Sequence, residues 1–148
     1  MKKILSKTIL FLFFTSYSFA ASLDPLSNYL KQNMDSYGKD SITTSYVLNR
    51  CSAVYLFMAG ITQDSRDGGK MSKSFVEAYE KYSMMSIQLL MKDRKWSKEI
   101  ALKSVLENID RMVKLYTEDG KQNFAKTGNY VMDTYIADDN KICNSLKL

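Results

Sequence analysis

The stretch Tyr46–Ile61, YVLNRCSAVYLFMAGI, decides the fold of this chain. After Arg50 it runs eleven residues without a charge, and Cys51 is the first of only two cysteines. Its apolar residues fall in two neighbouring stripes at helical spacing. Ile42, Tyr46, Ala53, Phe57 and Gly60 form one, and Val47, Cys51, Val54, Met58 and Ile61 the other. Tyr55, Leu56 and Ala59 fill much of what remains. A helix apolar nearly all round is one surrounded by others. Its charge-free run is well short of the roughly 20 residues that cross a bilayer. The segment therefore reads as the buried axis of a helical bundle.

Upstream, Asp24-Pro25 has the form of a helix start, an N-cap acceptor followed by proline at the first helical position. It opens a short helix carrying Leu26, Leu30 and Met34 that stops at Gly38. Asp40 or Ser41 caps the central helix, which runs to about Thr62. The following loop, Gln63–Gly69, invites a calcium reading, but counting from Asp64 the third position is Arg66, where an EF-hand loop needs an oxygen ligand. It is expected to be a solvated turn.

Downstream, a third helix from about Ser72 to Lys92 buries Phe75, Tyr79, Tyr82, Met85, Leu89 and Leu90. Ser97 caps a fourth, with Trp96 stapled beside it. Along it Ala101, Leu102, Val105, Leu106, Ile109, Met112, Val113 and Tyr116 repeat at three and four, the rhythm of bundle packing. Glu118-Asp119-Gly120 is expected to break that helix. A last helix is expected from about Lys121 to Ala137, with Gly128 inside it marking a close crossing. A polar tail, Asp138-Asp139-Asn140, then leads to Ile142-Cys143. The fold class expected is all-α: a small bundle of four main helices plus a short N-terminal helix, stapled by one disulfide.

The staple follows from compartment. Residues 1–20 have the physical form of a secretory signal peptide. Lys2, Lys3 and Lys7 precede the apolar run Ile9–Phe14, and Ser18 and Ala20 are the small residues before a cleavage ahead of Ala21. No cysteine stands there to carry a lipid. The expected mature chain, 21–148, is a single helical domain, periplasmic or secreted, with no stable membrane insertion once the signal is removed. In an exported chain two cysteines are most simply paired, and Cys51–Cys143 is the one possible bridge. Closing a loop of that length contributes roughly 4–5 kcal/mol through the unfolded state.

Removing the signal lowers the formal charge from +5 to +2, because three lysines leave and no acid does. A near-balanced surface lacks the basic stripe that nucleic acid requires. The chain has no histidine. Serine–histidine and cysteine–histidine nucleophiles and histidine-bearing metal sites are thereby excluded, and no cofactor or metal is expected. What remains for catalysis is carboxylate chemistry. The acids, Asp138 and Asp139 among them, read as solvated ends and faces of helices. Asp133 is the acid singled out, because it is expected on a tyrosine-rich helix near Tyr130 and Tyr135.

The expected function is that of a non-enzymatic exported protein acting by protein–protein binding, as an inhibitor, an immunity factor or an adaptor or chaperone-like factor. The expected partner is another protein. Met84 and Met91, seven apart on the polar side of the third helix, are the candidate contact strip. A high tyrosine count also suits contact surfaces. The first alternative is a small-ligand carrier with an inter-helix pocket near Arg50, a cation at the shoulder of an apolar run that needs a partner if buried. The second, less supported, is a carboxylate-dependent cell-wall hydrolase using Asp133.

Overall fold

The computed structural model describes residues 23–146, apart from 65, 67 and 68. The signal segment lies outside the described residues, as does part of the loop tested for calcium. The described chain is all-helical: α1 (Leu26–Gln32), α2 (Ser41–Thr62), α3 (Lys70–Arg94), α4 (Lys98–Thr127) and α5 (Tyr135–Ser145). No strand occurs among the described residues.

α2 is the axis, as its pattern requires. It packs most extensively on α3, then on α4 and α5, while α1 lies against α5. Val47, Cys51, Ala53 and Val54 are fully buried along it. Asp40 caps it, the carboxylate accepting from the Thr43 amide at 2.7 Å and from its hydroxyl at 2.9 Å. Ser97 caps α4 through the Ile100 amide. The Cys51–Cys143 disulfide joins α2 to α5, with the two Cα atoms 5.4 Å apart. No helix among the described residues is long and apolar enough to cross a membrane.

The C-terminal third departs from expectation. Glu118-Asp119-Gly120 does not break α4, which continues seven residues further to Thr127. Gly120 is buried inside the helix because α2 presses on it there. A Cβ at that position would lie 2.7 Å from the Phe57 ring and 3.4 Å from the Tyr130 carbonyl oxygen. The close crossing expected at Gly128 is therefore at Gly120. Gly128 is instead the C-cap, left-handed at φ 74°, where a residue without Cβ ends a helix at little cost. The Asn129 carboxamide then gathers the Val131 and Met132 amides, each at 2.8 Å, and turns the chain back.

The expected helix over 121–137 accordingly divides between the end of α4, a seven-residue connection and the start of α5. Asp133 belongs to no helix. It is an exposed connection residue at φ 59°. The apolar rhythm of α4 also splits: Ala101, Val105, Ile109, Met112 and Tyr116 are buried, whereas Leu102 and Leu106 are 39% and 42% exposed.

Candidate functional site

The deepest polar cluster forms around Arg50. α2 carries this residue immediately before the bridging Cys51, so the disulfide holds α5 beside it. On α5, Ile136, Asp139 and Cys143 follow one another at spacings of three and four and share the inward face. Asp139 is thereby delivered to Arg50. The two form an ion pair with the side chains 1% and 0% exposed. The expectation that Asp139 is a solvated tail residue is wrong for this reason.

Each end of the pair is multiply bonded. One Asp139 carboxylate oxygen accepts from Arg50 Nε at 3.0 Å, from Arg50 Nη2, and from the Tyr116 hydroxyl of α4. The other accepts from the Leu26 amide at 2.7 Å. Arg50 also donates to the Asp24 carbonyl at 2.9 Å and to the Tyr46 hydroxyl at 3.2 Å. Asp138 receives the Ser27 amide at 3.2 Å.

The start of α1 is thus capped from α5, across more than a hundred residues of chain. Asp24, expected to cap it, makes no side-chain cap bond, and Pro25 occupies the N-cap position. Leu26 and Ser27 point their amides away from their own chain neighbours toward two carboxylates on another helix. Those amides are the first donors of α1 and have no partner inside it.

Burial dominates the electrostatics here. It raises the Tyr116 hydroxyl well above the ordinary value, so this group stays protonated and donates to Asp139. Burial is also the largest influence on Asp139 and holds its carboxyl above the usual carboxylate value, with Arg50, Tyr116 and the Leu26 amide pulling the other way. For Arg50 burial opposes the charge, but Tyr116 and Asp139 outweigh it and raise its pKa. A buried pair satisfied on this scale costs several kcal/mol to break from one side. Its acceptors are all groups of the protein, so the arrangement knots α1, α2, α4 and α5 together.

Tyrosines extend the knot. Tyr82 donates to the Cys143 carbonyl and Tyr55 to the Asn144 side chain, both at 3.0 Å, docking α5 around the disulfide. Tyr135 donates to Asp119 at 2.7 Å and stacks on Tyr116, ring centroids 5.7 Å apart. Much of the tyrosine content therefore serves internal bonds.

One stretch of exposed apolar surface lies between α3 and α4, while Met34, Met71, Ile100, Phe124 and Met132 are exposed outside it. Tyr79, Ser83, Met84 and Ile87 of α3 face Leu102 and Leu106 of α4 across an open groove of about 330 Å³. Met84 is 52% exposed and Met91 36%. Met84 lines this groove and Met91 does not. Leu102 and Leu106 were missed as surface residues because their spacing matches that of the buried seam beside them. Among the described residues no group of three or more acids and cysteines is placed to hold a metal ion. Comparison of the chain with known protein families, curated proteins and solved structures returns no match.

Proposed function

We propose that this is an exported, non-enzymatic binding protein that acts through protein–protein contact, as an inhibitor, immunity factor or adaptor, by means of the α3–α4 groove. The observation that carries the reading is the surplus apolar surface there. Met84, Leu102 and Leu106 are each more than a third exposed, side by side on two long, well-anchored helices. Contiguous exposed apolar surface beside a groove is the usual mark of an interaction site. Methionine at its edge adapts to irregular partner shapes. Export is supported by the form of residues 1–20 and by the disulfide, which persists in oxidising compartments.

The test is a Met84→Glu/Leu106→Glu variant in affinity capture from the source cell envelope. Both positions are exposed, so the variant should melt within a few degrees of the parent. Loss of a partner that the parent captures supports the reading. Undiminished capture of the same partner would sink it, and so would the absence of any captured partner for the parent.

A further inference from the structure

A pocket of about 390 Å³ opens where the last turns of α2 face the C-terminal half of α4. Its apolar walls are Leu56, Phe57 and Ile61 of α2, Val113 of α4 and Tyr130 of the connection to α5. Phe57 is buried and the other four are half-buried, so the walls reach the surface. The α3–α4 groove uses the N-terminal half of α4, and the two concavities share no lining residue. The inference below is therefore independent of the proposed function.

Gly60 also lines the pocket. It stands inside α2, where glycine is a poor helix former compared with alanine. Gly120 is required by the Phe57 ring and Gly128 by its left-handed backbone, but neither reason holds at Gly60. Its φ is not positive, and a Cβ there would meet nothing within 4 Å. The missing side chain leaves the pocket open. Two opposite charges stand at the edge: Asp64, just past the end of α2, and Lys121 of α4. Both are exposed, and neither makes an ion pair or hydrogen bond among the described residues. The C-terminal end of α2, negative by its dipole, adds to the attraction of Asp64 for a cation.

Mostly apolar walls with a few polar groups at defined places are the usual form of a small-molecule site. The volume equals that of about thirteen water molecules at roughly 30 Å³ each. The matching ligand is small, has an apolar body and carries one charge of each sign. We propose that this pocket binds a free amino acid with a large apolar side chain. That side chain rests beside Gly60 on Phe57, Val113 and Tyr130, the ammonium group meets Asp64 and the carboxylate meets Lys121. Both ligand charges are borne by one carbon or its neighbour, so the ligand bridges two rim residues that make no pair with each other.

The experiment titrates the purified protein with L-phenylalanine and with L-leucine and follows backbone amide shifts by NMR. Three controls each lack one recognised feature: glycine the apolar side chain, phenylacetate the ammonium group and phenethylamine the carboxylate. Saturable shifts confined to residues 56–64, 113–121 and 130 are expected with at least one of the two amino acids, at a millimolar Kd suited to so small a ligand. Glycine should give no response, and the two singly charged controls should bind about fivefold more weakly, the upper range for an ion pair in contact with water. Gly60→Phe fills the pocket from a position where a Cβ meets nothing, so it should abolish binding while the melting temperature holds. Asp64→Asn and Lys121→Gln, both at exposed positions, should each weaken binding about fivefold, and they decide the matter if Gly60→Phe does not fold. No saturation with either amino acid, or shifts centred outside the pocket, would overturn the proposal. Equal binding of the singly charged controls, or affinity unchanged in the variants, would overturn it as well.

Discussion

Asp40 and Asp139 perform the same service by different routes. Each carboxylate accepts a backbone amide at the start of a helix, both at 2.7 Å. Asp40 serves its own helix, three residues ahead, from the surface. Asp139 serves α1 from another helix, buried and paired with Arg50. Their titration differs in sign accordingly. The Thr43 amide and hydroxyl lower the Asp40 carboxyl below its ordinary value. Burial raises Asp139. A local cap is an accessory of one helix, whereas the remote cap is part of what assembles four.

The largest expected effect comes from breaking the remote cap. Asp139→Ala leaves Arg50 buried without its counter-charge and should cost about 3–5 kcal/mol, read from urea denaturation. A loss below about 1 kcal/mol would mean that the knot does not hold the helices together.

Replacing both partners sharpens the comparison. Arg50→Met with Asp139→Leu removes the charges as well as the bond and should recover most of that loss, since an apolar pair of similar volume often matches a buried ion pair. A residual deficit of about 1 kcal/mol should remain for the uncapped start of α1. Full recovery would show that Asp139 contributes nothing as a cap.

Gly120→Ala should come next. Alanine gains about 1 kcal/mol in helix propensity. Its Cβ, however, meets the Phe57 ring at 2.7 Å, and Phe57 is buried against Tyr116. Overpacking of this kind costs about 1–3 kcal/mol, so a net loss of about 1 kcal/mol in chemical denaturation is expected. A gain would show that the Phe57 ring moves freely.

Asp40→Ala should have the smallest effect, faster amide exchange confined to the first turn of α2. The pH dependence separates the two carboxylates further. A depressed folded pKa means that the Asp40 contribution is present above its unfolded value and lost as pH falls through the folded one. A raised folded pKa means the reverse for Asp139: the proton-linked part of its stability is complete below the unfolded value and withdrawn as pH rises through the folded one, while the pairing with Arg50 belongs to the ionised form. Side-chain carboxyl titration by NMR should place Asp139 above Asp40. The opposite order would overturn both assignments.

Legibility followed the range of the interactions. The central helix, the Asp40 and Ser97 caps and the disulfide partners could all be read from neighbouring residues or from counting. Asp139 could not, because a carboxylate between Asp138 and Asn140 reads as a polar tail until α5 is placed. A signal existed nonetheless: Ile136, Asp139 and Cys143 lie on one helical face, and Cys51 sits next to Arg50. Placing α5 correctly and closing the disulfide would have brought the pair together. Gly120 and Gly128 were exchanged for the same reason. Thr127-Gly128-Asn129 has the chemistry of a helix end, but Glu118-Asp119-Gly120 resembles one equally well, and only the Phe57 ring distinguishes them.

By itself the sequence determined an all-helical chain built round Tyr46–Ile61, its caps at Asp40 and Ser97 and its one possible bridge. These depend on side-chain periodicity, on hydrogen bonds within one turn, and on there being only two cysteines. The tertiary structure decided which glycine ends a helix, which acid is buried and which leucines remain at the surface. Each of those depends on what another helix places opposite the residue, and no short stretch of sequence contains that.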